Sequence, residues 1–536
     1  MTPTLSQQKT SLKDCIAFWE HWLSHHPDEQ YVCNVLDFID NGIPIGHKGP
    51  ESLVISDNWP SSAQFSDEVT QFIQEHLQLG NIGGPLTEPY PPDYRSSPLG
   101  AFRRRTAGKV RVIHDLSWPP SRSVNDFISA KDFTLTYTTV DKAADLTMHY
   151  LEPWLVKLDL KSAFLSCPVR KQDQHLLGFS WPDNTGSLRR MYFKVLPFGL
   201  RSSPAQFNVL ASALLYIMIA SGASYTLLNY LDDYIGISSS KEDAANTLHL
   251  MLDTIHNSGF KVQPSKTLGP ERSLEFLGIE IDTVNKQLKI TQERMEEIRE
   301  LLSDWLSKSM CTKRDLLSII GKLSFCARVV RAGKMFLRRL IELSKKARNL
   351  HHKLTLTSQV KADLRWWSKS IQSHNGITWL DEVWDHEKTH VLYTDASNVA
   401  IGSIFGNSWA YLQFTGENQW LQDTPIVYKE LYAVVFSLSV FGNAMAHKQV
   451  KMYTDNMAVY HCINQGTSKE PKLMGLLRAL YHYTVVYNIH YKAYWLSTVS
   501  NAASDSVSRL QFDKFRELCP QADKCPTSPV PVITDF

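Results

Sequence analysis

Residues 229–238 read NYLDDYIGIS, which places two carboxylates side by side inside an otherwise apolar run. A carboxylate carried into apolar surroundings is costly unless it is paired or bound to a cation. Asp232 and Asp233 therefore imply either a tight turn in water or a metal site. A third acid, Asp159, lies in WLVKLDLKSAF, where Val156, Leu158 and Leu160 alternate with Lys157 and Asp159 at the period of a strand. A hairpin carrying Asp232 and Asp233 beside that strand would gather three carboxylates. Hard oxygen ligands suit Mg²⁺, and two such ions about 3.5–4 Å apart can activate an attacking oxygen and neutralise in-line phosphoryl transfer.

The elements that must position these acids can be read from periodicity. FSDEVTQFIQEHLQLG sets Val69, Phe72, Ile73 and Leu77 on one helical face that closes at Gly80. LGAFRRRTAGKVRVIHDLS reads as a hairpin turning at Thr106 to Lys109 and carrying Arg103, Arg104, Arg105, Lys109 and Arg111. A long apolar helix is expected from Pro204 to Ala220, and TLLNYLDDYIGIS reads as strand, turn, strand with Asp232 and Asp233 at the turn. From Thr291 to about Ser370 the period becomes helical, which predicts a separate all-helical unit. Within it, Gly321 to Lys353 carries ten Lys and Arg against the single acid Glu342, a density that by itself suits a phosphate backbone or a solvated helix face equally. Strands and helices then alternate from His390 to Leu510, as in an α/β domain. Residues 1–60 hold the amphipathic stretch DCIAFWEHWL and no nameable chemistry, and CPQADKCPTSPVPVITDF reads as a tail.

Composition sets outer limits. A chain of 536 residues with 43% apolar and 21% charged side chains is an ordinary multidomain globular protein, which excludes wholesale disorder. The longest apolar run, Val209 to Ala220, falls short of the ~20 residues a membrane span needs, so no membrane association is expected. The net charge of +2 argues for no polyanionic partner by itself, and local clustering must carry that case. Eight scattered cysteines without CxxC pairs exclude a zinc module and fit a reducing, intracellular compartment. The N-terminus lacks the pattern of a secretory signal.

Six blocks, GKVRVIHDLS, LVKLDLKSAF, LPFGLRSSPAQF, NYLDDYIG, GFKVQPSKT and LEFLGIEID, resemble in order the conserved blocks of reverse transcriptases. The resemblance implies that Asp159, Asp232 and Asp233 are catalytic metal ligands, and that Arg111 and Arg104 grip the incoming triphosphate. Phe164 would exclude a 2′-hydroxyl. Phe198, where retroviral relatives carry Gln, and Gly199 would complete the nucleotide site. Lys266 would protonate the leaving pyrophosphate, and Phe276, Leu277 and Gly278 would support the primer end. Asp395, Glu430, Asp455 and Asp505 resemble the four-carboxylate site of RNase H, without the histidine often found before the last acid.

The fold implied is an α+β right-hand polymerase of fingers, palm and helical thumb, followed by an α/β RNase H-like domain. Its expected bounds are an N-terminal extension at 1–60, fingers and palm at 61–285, thumb and connection at 286–372, RNase H at 388–511 and a flexible tail at 512–536. Arg328, Arg331, Lys334, Arg338 and Arg339 of the thumb would follow a duplex.

The function implied is that of a retrotransposon RNA-directed DNA polymerase with RNase H activity, the alternative being a silent, co-opted nucleic-acid-binding remnant. Each active site would take two Mg²⁺, with Mn²⁺ as substitute. Partners would be an RNA template, a DNA primer, the RNA/DNA hybrid and dNTPs. SVND, GKLSFCARVVRAGKMFLRRLIEL and DLRWWSKSI resemble the DIRS-like group. No Asp-Thr/Ser-Gly protease motif, zinc knuckle or recombinase set is present, so a recombinase or integrase would be encoded on a separate region of the element.

Overall fold

The computed structural model describes residues 11–50, 52–103, 110–223, 226–373, 389–487 and 489–532. The chain divides into two compact units, Met1–Gln287 and Leu288–Phe536.

The first unit is built on a four-stranded antiparallel sheet ordered Leu268–Glu271, Trp154–Asp159, Asp233–Ser238, Leu227–Tyr230. Its second strand departs from a half-buried alternation. Leu155, Val156 and Leu158 are all fully buried, because the strand is central and covered on both faces. The apolar helix expected from Pro204 runs Ser203–Ala220 and buries Phe207, Leu210, Leu214 and Ile217 in the core of this unit. It is long and apolar enough to cross a membrane by length and composition, but half of that window is buried within the protein.

Helix Lys241–Ser258 packs on the same sheet, started by Ser240 accepting from the Asp243 amide and ended by Gly259 at φ +90°. A five-stranded sheet ordered Val54–Ile55, Arg95–Ser96, Gly178–Pro182, Leu188–Phe193, Ile82–Gly83 lies in the same unit. The basic hairpin pairs Leu99–Arg103 with Val110–His114, and its expected turn lies outside the described residues.

The N-terminal extension is part of this core. Leu12, Cys15, Trp19, Val35, Phe38, Ile43 and Ile45 join the same buried cluster, and the Trp19 indole donates to the Ser258 carbonyl at 3.0 Å.

In the second unit, the all-helical block is corrected in two ways. Helices Gln292–Ser307, Lys313–Cys326, Arg338–Lys345 and Ser358–Ser373 are joined by a ribbon pairing Met310–Thr312 with Lys353–Thr355. Nor is the block separate. Asp363, 1% exposed, receives Arg478 from the α/β domain and Arg339 from its own side, while Phe336 stacks on Trp366 at 3.8 Å beside Tyr481. Met335 belongs to the α/β domain's buried cluster.

That domain holds a five-stranded sheet ordered Ser408–Gln413, Ala400–Phe405, Thr389–Ala396, Gln449–Thr454, His490–Trp495, antiparallel in its first three strands and parallel thereafter. The flexible tail expected at 512–536 is also corrected as far as residue 527, while 533–536 lie outside the described residues. Helix Phe512–Leu518 buries Phe515 completely, the Trp409 indole donates to the Asp523 carbonyl, and the Thr527 amide donates to the Trp409 carbonyl.

Candidate active sites

In the first unit, antiparallel register places Asp233 directly opposite Asp159. The turn before Asp233 carries Leu231 at φ +54°, and the Asp232 carbonyl accepts from the Leu160 amide at 3.0 Å. One hairpin and its neighbouring strand thus set Asp233 opposite Asp159, with the Asp232 charge felt by both, although the three carboxylates do not all come within 4.8 Å of one another. Asp159 is 4% exposed, and the Lys266 ammonium donates to its Oδ2 at 2.8 Å. Lys157, which the sequence reading treated only as part of a strand, brings its ammonium to 3.5 Å from Asp233 Oδ1.

Burial pushes the Asp233 carboxyl up to about 6, against the pull of Lys157 and with the help of Asp159 and Asp232. Burial likewise raises Asp232. Asp233 Oδ1 makes no hydrogen bond among the described residues and has only the 3.5 Å ion pair with Lys157, which leaves this cluster of hard oxygen donors incompletely satisfied. These residues fit divalent cations.

The expected nucleotide contacts also meet. The Arg111 guanidinium lies 5.2 Å from the Phe198 ring centre, and Phe198 meets Phe164 edge-on at 5.4 Å. Gly199 is at φ +98°, where a Cβ would come within 2.7 Å of the His114 carbonyl oxygen, so only glycine lets this loop close on the basic hairpin. Asn125 fixes the loop by donating to the Gly199 carbonyl and accepting from the Arg201 amide. Arg104 lies outside the described residues.

Phe276 ends one strand with its ring buried, and Leu277 and Gly278 form a two-residue hairpin turn at φ +51° and +80°, a geometry matched to strand twist. Of the expected thumb contacts, Arg328 and Lys334 are exposed, whereas Arg338 is paired with Glu342 and Arg339 with Asp363. The side chain of Arg331 lies outside the described residues.

In the second unit, Asp395, Glu430 and Asp455 each bring a carboxylate oxygen within 4.8 Å of the others. Asp395 lies on the central strand, Glu430 on helix Ile426–Met445 and Asp455 just beyond the end of the parallel neighbour. Asp505, on helix Ala502–Ser508, stands outside this triplet and accepts from Arg509 at 2.7 Å. Burial pushes Glu430 up to about 9, with the Asp395 and Asp455 charges adding to the shift, and raises Asp395 to about 6. Among the described residues the buried Glu430 Oε2 has no hydrogen-bond partner, which fits a missing positive charge better than a finished polar network.

Several positioning groups were not read from the sequence. Ser508 donates to Asp395, Thr498 to Asp455 and the Ala396 amide to Glu430. Asn501 donates to the Thr394 carbonyl and anchors the helix of Asp505 to the strand of Asp395. Gly402 sits opposite Asp395 in register, and a Cβ there would meet Ser504 O at 2.5 Å and Ser508 N at 2.7 Å. The signal available in advance was the glycine itself, inside a run of strand residues.

Comparison with known proteins follows the same division. Residues 107–281 match the family described as reverse transcriptase (RNA-dependent DNA polymerase), and residues 385–483 match the RNase H-like domain found in reverse transcriptase. The chain is 27% identical over 242 residues to a Gag-Pol polyprotein of Rous sarcoma virus subgroup B (strain Schmidt-Ruppin), covering 45% of this chain and 14% of that protein. It is 25% identical over 256 residues to the Transposon Tf2-3 polyprotein of Schizosaccharomyces pombe, covering 46% and 17%. The chain thus matches only a small part of the length of these curated relatives.

Among solved structures it is similar to a foamy viral protease-reverse transcriptase in complex with dsDNA, at TM-score 0.50 and 16% identity, covering 92% of this chain and 99% of that one. A complex of the foamy viral protease-reverse transcriptase with RNA/DNA hybrid gives TM-score 0.50 and 15% identity over 92% and 64%. The fold is that of a right-hand polymerase with an RNase H-like domain following it.

Proposed function

We propose that the chain is a retrotransposon RNA-directed DNA polymerase that extends a primer 3′-hydroxyl and cuts the RNA of the resulting hybrid. The observation that carries this reading is a pair of partly buried acid sets, Asp159 opposite Asp233 with Asp232 beside it on one unit, and Asp395, Glu430 and Asp455 within 4.8 Å of one another on the other.

Asp159, Asp232 and Asp233 would hold the divalent ions of the first site, and Asp395, Glu430, Asp455 and Asp505 those of the second. When bound, pairs of Mg²⁺ or Mn²⁺ supply charge neutralisation and an activated oxygen for phosphoryl transfer. Arg111 and Phe198 receive the dNTP, Phe164 limits the room beside its sugar, and Gly199 keeps their loop closed. Lys266, now donating to Asp159, moves to the leaving pyrophosphate as it loses that partner. The turn at Leu277 and Gly278 supports the primer terminus, while Arg328 and Lys334 are left to contact the duplex. The DIRS-like placement rests on the SVND and connecting-helix motifs, and with it the recombinase would come from a separate region of the element.

Primer extension on poly(rA) and cleavage of a labelled hybrid, both with Mg²⁺, test this reading. Asp232→Asn should lower extension by about 100-fold or more and spare cleavage, and Asp395→Asn should do the reverse. If wild type extends no better than Asp232→Asn while both bind hybrid, the chain is a nucleic-acid-binding remnant instead.

A further inference from the structure

Where helix Pro471–Val486 meets the connecting helices, within the second unit, lies a cleft of about 450 Å³ apart from the carboxylate triplet. Arg338, Arg339, Lys346, Lys469 and Arg478 line it, against the single lining carboxylate Glu342. Asp363 is bound by Arg339 at 2.9 Å and by Arg478 at 3.0 and 3.2 Å, so it takes up part of that positive charge. The surplus remains large. Lys346 and Lys469 are exposed and make no ion pair among the described residues.

Two further features point to an anion. Arg478 has a side chain only 4% exposed, and its Nε has no hydrogen-bond partner among the described residues; the same holds for the buried Nε of Arg338. A guanidinium N–H withdrawn from water and left without an acceptor leaves positive charge incompletely compensated beside the cleft, which favours an anion there. The first turn of helix Pro471–Val486 supplies Pro471, Met474 and Gly475 to the lining, and its N-cap residue Glu470 makes no side-chain cap. The unpaired amides and dipole of such a turn favour negative charge. A Cβ added at Gly475 would meet nothing within 4 Å, so the cleft stays open at that position.

We propose that this cleft is a phosphate-binding site, distinct from both carboxylate clusters, that takes phosphate esters in the absence of divalent metal. With the guanidinium ends of Arg338, Arg339 and Arg478 held by Glu342 and Asp363, the charge left for an oxyanion comes chiefly from Lys346 and Lys469, point charges that make no ion pair among the described residues. The phosphate can come from a nucleic-acid backbone or from a free phosphorylated small molecule, and the chemistry of recognition is shared.

The test uses the full chain in EDTA, with sodium pyrophosphate as probe and sodium chloride at matched ionic strength as control. Wild type should melt at a higher temperature with pyrophosphate than with chloride. The double variant Lys346→Gln, Lys469→Gln should need about tenfold more pyrophosphate for the same shift, and Gly475→Glu should lose the shift altogether. Binding of an RNA/DNA hybrid across a salt series distinguishes the sources. A salt slope lower by about 0.9 per lost contact in the double variant assigns the cleft to backbone phosphate. An unchanged slope with a weakened pyrophosphate response assigns it to a free phosphate ester. A wild-type shift no larger than that in chloride, or a pyrophosphate response retained in both variants, overturns the proposal.

Discussion

The two carboxylate clusters solve the problem of buried charge differently. In the first unit Asp159 is met by Lys266 and Asp233 by Lys157, so two acids have ammonium groups of the protein's own. In the second unit Asp395, Glu430 and Asp455 are met by a serine hydroxyl, a backbone amide and a threonine hydroxyl, and Arg509 is paired with the outlying Asp505. Burial, with the Asp395 and Asp455 charges added, drives Glu430 far above the usual carboxylate range, and the single amide donated by Ala396 offsets only part of that. The first cluster carries two counter-charges of its own, whereas the second triplet has only neutral donors among its described hydrogen-bond partners.

The sharpest way to break this contrast is at Gly402. Alanine there would force helix Ala502–Ser508 off the strand of Asp395, moving Ser508 and Asp505 together. Hybrid cleavage should fall about 10- to 100-fold, while primer extension by the same preparation should not change. Equal loss of both would show that the glycine serves overall stability and not the site.

A second test exploits titration. The folded-state Glu430 carboxyl lies above its ordinary 4.5, so between pH 4.5 and about 9 the folded chain binds more protons than the unfolded one. Metal-free stability contributed by this group is therefore full below pH 4.5 and is lost as pH rises towards 9. The melting temperature of the second unit in EDTA should drop by several degrees over that window. Glu430→Gln should flatten the profile, and Mg²⁺ should flatten it for wild type. A wild-type profile identical to that of the variant would mean that Glu430 is not the strained member.

The smallest expected effect is at Lys157. Lys157→Met should raise the Mg²⁺ concentration needed for half-maximal extension by a few-fold and leave the Mg²⁺ requirement of cleavage unchanged. Lys157→Arg should restore much of the difference.

What could be read from the chain follows the same chemistry. Asp159, Asp232 and Asp233 were legible because adjacent acids in an apolar run have few innocent explanations, and hairpin register did the rest. Lys157 was not, since a lysine in an alternating strand looks like a solvent-facing residue until the strand proves central, with the lysine side chain only 12% exposed. The tail was misread because prolines without periodicity suggest a linker, while Trp409, more than a hundred residues earlier, supplies the partners that order it. The helical block looked independent for a similar reason. Asp363 and Arg478 are 115 residues apart, and no local pattern announces that they pair.

That buried pair redraws the smallest transplantable piece of this protein. A graft that moved only residues 388–511 into a foreign polymerase would carry the Arg478 guanidinium away from its aspartate and strip Met335 from the core it helps to fill. The smallest piece that keeps this core whole therefore begins with the connecting helices, and a cut at the apparent domain border would leave Asp363 and Arg478 facing away from the charge each was folded against.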